Sequence, residues 1–447
     1  MEKKNIVLNE GQKDVLEKLK NFVNNGDNYM VLLEGPAGSG KTTVITEFIH
    51  WLQTEAVFGH VAMVAPTNKA VKVLKEMCDS TSKDQIEFCS LHSLLGLKHK
   101  ITKDGKEVYE RDDKTISKLY LYDVVVIDEA SMVSDQLFNE LEDQNYRGVK
   151  IVFVGDRNQI NPVNHEHAIP MLDDKRELFK ISHFELTEIV RQAKDNPIIK
   201  YSQKIIKDDF NFKIGTKEMV DQSGIVMLNR NDMDVLKELY KYYFCNETFD
   251  NNANHCKVVA WRNATVDRYN DLIRFMKYGK VGRIVKNEKL IVDKPVKGES
   301  DDVIVFTTNE DLIVKTCSVQ TKKLYDIEFQ FYDCDVVGDE NELQNIHILH
   351  EKSSAKYTQL LKKLADDAKN EKESFKKVEK WKKYFGFIDN FAQVKYNYAI
   401  TCHSAQGSTY NNCFVDFSDI CVNWNKEERK RILYTAFTRP KEMLYIM

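Results

Sequence analysis

The stretch 32-LLEGPAGSGKTT-43 decides how this chain folds. An apolar run ends at Glu34. Gly35, Pro36, Ala37, Gly38, Ser39 and Gly40 then lead into Lys41, Thr42 and Thr43, after which the helical pattern VITEFIH begins. Glycines at this spacing let successive backbone N–H groups close around phosphate oxygens, the lysine neutralises the β and γ oxygens, and the Thr42 hydroxyl suits a Mg²⁺ shell. A strand before and a helix after complete the G-x-x-x-x-G-K-[ST] P-loop pattern, so an α/β nucleotide-binding domain with ATP as ligand is expected.

Three more apolar runs surround it: HVAMVAP (60–66), DVVVIDE (123–129) and KIVFVGD (150–156). None alternates polar with apolar, as expected of parallel strands covered on both faces by crossover helices. Ligands in such doubly wound sheets sit at the carboxyl ends of the strands, where each run turns polar. Asp128 at one such end can hold the Mg²⁺ shell, and Glu129 beside it can take the proton of an attacking water. Gln159, in VFVGDRNQINPV (152–163), carries an amide able to bridge a γ-phosphate or its water to a neighbouring domain. Together these elements argue for nucleoside triphosphate hydrolysis.

The rest of the chain is organised around this core. KHKITKDGKEVYE (98–110) turns at Asp104-Gly105 and reads as an inserted β-hairpin. HCKVVAW (255–261) and NCFVDFS (412–418) are a second strand set flanking a long insertion. Within that insertion, residues 294–337 are rich in β-branched and aromatic residues, as in a small barrel, and 355–385 are highly charged with helical spacing, a solvated helix or helix pair. A length of 447 residues fits about three units. A net charge of −4 excludes neither nucleic acid nor small substrates, because a basic groove can coexist with an acidic exterior. The nine cysteines show no C-x-x-C pair or zinc-ligand spacing and read as reduced thiols. With no signal-peptide pattern and no apolar run near a membrane span, a soluble, cytoplasmic protein without membrane contact is expected.

The segments taken together resemble the superfamily 1 helicases. LNEGQKDVL (8–16) resembles the Q motif, APTNKA (65–70) motif Ia, CSLHSLL (89–95) Ib, GDRNQINP (155–162) III, LTEIVRQ (186–192) IV, TCHSAQGST (401–409) V and LYTAFTRPK (433–441) VI. Order and spacing are most similar to the RecD-like 1B branch, including its phage-type members. The resemblance implies two RecA-like parallel-sheet P-loop domains: 1A over 1–183, with a hairpin 1B at about 96–115, and 2A over 184–280 and 393–447. A small SH3-like β-barrel with a helical extension, 2B, would span 281–392. It also implies ATP and Mg²⁺ as cofactors, translocation 5′ to 3′, and single-stranded and forked duplex DNA as partners. Single-strand binding protein and replication or recombination proteins are further implied partners, with the helicase acting as a monomer.

By the same resemblance, Gln12 lies on the adenine edge, Gln406 and Gly407 join the nucleotide site, and Arg191 and Arg439 reach the γ-phosphate from the second domain, where developing charge needs cations. DNA phosphates would meet Pro66, Thr67, Asn68, Ser90 and His92 on the first domain. On the second they would meet Trp261, Arg262, Asn263, His403, Ser408 and Thr409. Tyr109 on the hairpin would stack against the last base pair. Two other classes are weighed against this. A switch or protein-remodelling ATPase would not depend on nucleic acid, and a nuclease would need a further carboxylate cluster with metal-site spacing, which the sequence does not offer.

Overall fold

The computed structural model describes residues 8–25, 28–55, 59–77, 86–102, 104–111, 115–162, 168–190, 195–209, 212–298, 304–339 and 341–447. The first unit is a sheet of six parallel strands, β1 (Met30–Glu34), β2 (Val61–Ala65), β3 (Ile86–Ser90), β6 (Val124–Ile127), β7 (Lys150–Gly155) and β8 (Ile181–Glu185), in the order β3-β2-β6-β7-β1-β8. Four of them (β1, β2, β6 and β7) are buried at every position. Alternate residues feed two cores: Leu32, Val64, Ile127 and Phe153 pack on one face, and Val31, Leu33, Val126 and Val152 on the other. At roughly 1.5–3 kcal/mol per fully buried large apolar side chain, these two layers dominate the unit's stability. Helices α1 (Glu10–Asn24), α2 (Lys41–Thr54), α3 (Asn68–Met77), α4 (Leu91–Leu94), α5 (Asp135–Gln144) and α6 (Asp173–Leu178) belong to this half. Strand β8 pairs with β1 along Ile181–Glu185, so the first unit runs past the boundary expected at residue 183.

Between α4 and β6, strands β4 (Leu97–Ile101) and β5 (Glu107–Arg111) form an antiparallel hairpin. At its tip Gly105 has φ +74 and faces Trp381, where a Cβ would come within 2.4 Å of the ring. Glycine is required there both by the backbone and by the neighbour.

The second unit repeats the design. Strands β9 (Lys217–Val220), β10 (Ser223–Met227), β11 (Cys256–Ala260), β19 (Ala399–Thr401), β20 (Tyr410–Val415) and β21 (Pro440–Ile446) lie in the order β19-β11-β20-β21-β10-β9, parallel except for the β9–β10 pair. Helices α7 (Pro197–Ile206), α8 (Met233–Phe244), α9 (Glu247–Asn251), α10 (Asn263–Tyr278), α13 (Cys402–Ala405), α14 (Phe417–Ile420) and α15 (Lys426–Phe437) accompany it.

Inserted between β11 and β19 is an antiparallel sheet of β12 (Lys289–Val292), β15 (Asp311–Leu324), β16 (Ile327–Val337), β17 (Leu343–Leu349) and β18 (Val394–Tyr396). The short pair β13 (Val296–Lys297) and β14 (Ile304–Phe306) and the helices α11 (Ser354–Lys369) and α12 (Ser374–Ile388) accompany it. Because β18 pairs with β12, the insert reaches Tyr396 rather than ending at 392. The two charged helices are not solvated throughout: Leu360 and Phe387 pack on Phe329 and Phe331 of β16, at the end where β15 and β16 run on beyond β17 as a two-stranded ribbon that cannot bury its apolar face alone. No helix among the described residues is long and apolar enough to cross a membrane.

Candidate active site and nucleic-acid interface

The P-loop joins β1 to α2. Gly40 adopts φ +83, and a Cβ there would sit 2.1 Å from the Gln12 amide nitrogen, so both the turn and the packing exclude a side chain. Gln12 is buried in α1, where it forms a capping box with Asn9, and its Nε2 donates to Ser39 O at 3.2 Å. It therefore braces the loop as well as bordering it. Lys41 Nζ donates to Pro36 O at 3.1 Å and to Gly35 O, which turns the ammonium into the cradle. Beneath the loop the buried Glu34 carboxylate is held by Arg157 and by His183, 2.9 Å away. Burial favours its neutral form, but the Arg157 bond and charge outweigh it and hold the carboxyl below its usual range.

Asp128 and Glu129 follow β6 directly. Glu129 has φ 50, a left-handed conformation costing an L-residue about 1 kcal/mol, which aims its side chain out of the turn. Burial and the neighbouring Asp128 charge push Glu129 up to about 7, against the pull of Arg439 and Lys41. Burial likewise raises Asp128, opposed by the Glu129 backbone N–H and by Lys41. A carboxyl balanced near neutrality and facing cations from two sides suits a general base.

Arg439 comes from the second unit and is almost fully buried. Its guanidinium is fixed by Thr435 O (2.9 Å), Ser408 O (3.2 Å) and Thr438 Oγ1 (3.1 Å), close enough to Glu129 to lower its proton affinity. Gln406 Nε2 reaches Ile160 O at 3.2 Å, Ser131 Oγ at 3.4 Å and Gln159 Oε1 at 3.5 Å, joining the two expected coupling glutamines across the cleft. Arg191 lies outside the described residues, but the chain just before it runs along the P-loop, Val190 N donating to Gly38 O at 3.0 Å.

The sequence reading missed the closest link between the two units. The Tyr434 hydroxyl, on α15, donates to Asp156 Oδ2 at 2.6 Å and accepts from Ala37 N–H at 2.7 Å. One residue on, Thr435 Oγ1 accepts from Ile160 N–H at 3.2 Å. The available signal was a tyrosine and a threonine inside the otherwise apolar helix segment ILYTAF.

The nucleic-acid candidates lie at the carboxyl ends of the outer strands of both sheets. Pro66, Thr67 and Asn68 follow β2, Ser90 ends β3 and His92 lies in α4 just after it, Trp261, Arg262 and Asn263 follow β11, His403 lies in α13 just after β19, and Thr409 precedes β20. Burial pushes both His92 and His403 down, so these imidazoles are neutral near pH 7 and serve as hydrogen-bonding groups rather than cations. Two of these side chains turn toward protein, one of them Trp261, for which the sequence left a core role and a base-stacking role equally open. Ser408 is 2% exposed and supports Arg439 through its carbonyl, so its hydroxyl does not face a strand of DNA. Trp261 packs partly on the second unit's core, while its N–H and that of Arg262 both bond Asp419. Tyr109 packs on the His92 ring, centroids 4.7 Å apart, four residues from the hairpin tip.

A family model described as an AAA domain matches residues 7–228, and one described as a UvrD-like helicase C-terminal domain matches 396–447. The ATP-dependent DNA helicase dda of Enterobacteria phage T4 is 24% identical over 98% of this chain and 99% of its own length. Over nearly its whole length the chain is similar to RecD-like helicases of superfamily 1B. An uncharacterized protein of Acanthamoeba polyphaga mimivirus is 28% identical over 99% of this RecD-like chain and 100% of its own. In fold the helicase resembles a Pif1 structure solved for DNA unwinding at forked duplex DNA, with a TM-score of 0.52, 16% identity, and coverage of 99% of this chain and 92% of that one. Its two parallel sheets are thus RecA-like.

Proposed function

We propose that this RecD-like chain is an ATP-dependent DNA helicase that hydrolyses ATP between its two RecA-like units and moves 5′ to 3′ along single-stranded DNA, separating a duplex ahead of it. The observation carrying this reading is one cleft in which a P-loop, an Asp-Glu pair and a buried arginine from the opposite unit converge. Ser39 Oγ is buried in the cradle with no partner among the described residues, and the Lys41 ammonium meets only backbone carbonyls there, a donor set suited to phosphate oxygens. Thr42 and Asp128 are the residues that would hold Mg²⁺, which when bound neutralises charge on the β and γ oxygens. Glu129 takes the proton of the attacking water at a carboxylate oxygen, Gln159 orients that water, and Arg439 and Lys41 stabilise the charge that develops.

The sheet orders separate two tasks. ATP elements follow the inner strands β1, β6 and β7, and DNA elements follow the outer strands β2 and β3, with β19 and β11 at the matching edge of the second sheet. In the family's terms, the β4–β5 hairpin is the 1B wedge and the inserted sheet with α11 and α12 is 2B. Both halves of the ATP site come from one polypeptide, so a monomer suffices, on single-stranded or forked DNA.

Hydrolysis with and without single-stranded DNA, run beside strand displacement on duplexes with a 5′ or a 3′ tail, tests the reading. Strong stimulation with unwinding from the 5′ tail alone is expected. Hydrolysis indifferent to DNA would turn the assignment toward a switch-type ATPase.

A further inference from the structure

Helix α3 starts at Asn68, an expected DNA contact, and carries two lysines one turn apart that both end on carboxylates of the inserted sheet. Lys69 Nζ lies 3.5 Å from Asp311 Oδ1, at the first residue of β15, with side chains 10% and 18% exposed. Lys72 Nζ donates to Asp339 Oδ1 at 2.6 Å, two residues beyond β16. The second unit joins the same junction: Asn397 donates to Asp311 Oδ1 at 2.8 Å and accepts from the buried Lys257 Nζ at 2.6 Å. The Tyr410 ring lies 5.8 Å from Lys69 Nζ and 6.0 Å from Lys257 Nζ. Gly407, at φ +73, brings the 401–409 loop so close to α3 that a Cβ would lie 3.1 Å from the Ala70 methyl. First unit, second unit and insert therefore meet at one place, beside residues 67 and 68.

A buried ion pair is a poor way to add stability, since apolar residues of the same volume often do as well or better. It does impose one docking geometry, because any other leaves a buried charge unpaired. Burial would lower the Lys69 ammonium, but the Asp311 charge, with Tyr410 and Asp339, outweighs it and holds it above its ordinary value. The Lys69–Asp311 pair is thus charged at neutral pH, whereas burial lowers the neighbouring Lys257 ammonium to about 7.

We propose that Lys69 and Lys72 form a clasp that holds the insert against the first motor unit and closes the protein around the bound single strand. The inference rests on the DNA path given above, in which the strand crosses Thr67 and Asn68 immediately before the first clasp lysine. Closed, the clasp retains the strand between steps; open, it admits or releases it. The clasp residues are positioning residues that touch neither the nucleotide nor the DNA.

The test uses Lys72→Asp, Asp339→Lys and the double swap in the full chain, because Lys72 and Asp339 are the more exposed pair of the clasp, at the rim of the buried Lys69–Asp311 pair. Dissociation from single-stranded DNA is followed after adding excess competitor DNA, in the presence of ATP. Each single variant is expected to release the strand roughly five-fold faster, the scale of one partly screened ion pair, and to unwind fewer base pairs per binding event. ATP turnover at saturating DNA stays at the wild-type rate, and the double swap restores slow release. Wild-type release by the single variants, or fast release by the double swap, would overturn the clasp. If wild-type turnover itself ignores single-stranded DNA, the DNA path fails first, and that outcome is visible before any variant is compared.

Discussion

Tyr434→Phe removes a single oxygen from the middle of the cleft and leaves the ring packing intact. Tyr434 is fully buried in the second unit's core, and its hydroxyl joins Asp156 Oδ2 and Ala37 N–H, both in the first unit. Burial, reinforced by the Asp156 charge, keeps this phenol neutral and donating at any working pH. Asp156 is 1% exposed and, among the described residues, would retain the Asn158 donors on its other oxygen, at 3.0 and 3.1 Å. The substitution deletes a hydrogen bond to a carboxylate, worth about 1.5–3 kcal/mol, and strands a backbone N–H, costing about 1–3 kcal/mol. When the cleft opens, water can satisfy both groups, so the penalty falls on the closed arrangement. Taking about 2 kcal/mol as the net figure, the closed-to-open ratio falls roughly 30-fold. Steady-state hydrolysis against ATP concentration at saturating single-stranded DNA should show kcat/KM lowered by on the order of ten- to thirty-fold. Thermal melting should change little, because each core keeps its packing. A variant with wild-type kcat/KM would refute the reasoning, since a hydroxyl irrelevant to closure cannot be the link between the units.

Three further outcomes follow from the geometry. Lys41→Ala should abolish ATP turnover while anisotropy still detects binding to labelled single-stranded DNA; turnover at the wild-type rate would remove the P-loop assignment. Gln406→Ala breaks the bond to Ile160 O and the approaches to Ser131 and Gln159, so DNA-stimulated turnover should fall more than turnover without DNA. An equal fall in both would reduce Gln406 to a structural residue. Trp381→Ala removes the surface on which the hairpin tip rests at Gly105, beside the Lys377–Asp104 pair at 3.7 Å. Strand separation should then drop further than DNA-stimulated hydrolysis, and parallel losses in the two assays would count against a hairpin braced by the insert.

The elements legible in the sequence were those whose signal is local. The P-loop, the strands of 123–129 and 150–156 and the Asp104-Gly105 turn are each set by contiguous residue types, and the structure places them where periodicity put them. What sequence could not carry was pairing across the chain. That Tyr434 meets Ala37 depends on how two sheets dock, 397 residues apart in sequence. Ser408, expected as a DNA contact by resemblance, has its hydroxyl buried, and its carbonyl holds Arg439. The segment 355–385 read as solvated because it is highly charged, yet Leu360, and Phe387 just beyond it, cover Phe329 and Phe331 of β16.

The short loop 401–409 shows how one movement can serve both sites. Thr401 caps α13 through its hydroxyl, fixing a single helical turn that carries His403, a proposed DNA contact. Three residues later, Gln406 reaches the Ile160 carbonyl and Gln159 on the ATP side, and Gly407 presses against α3, which begins at the proposed DNA contact Asn68. Gln406 caps that turn with its N–H on His403 O at 3.3 Å, which ties the two residues together. If cleft closure depends on the Tyr434 and Gln406 bonds, their loss must alter the grip on DNA even though neither side chain lies on the DNA path. Binding of ATP and binding of single-stranded DNA are then reciprocally linked, as any two ligands that favour the same closed state must be. Measuring the affinity for each ligand with and without the other gives the same coupling factor from both directions, and Gln406→Ala should bring both factors toward one.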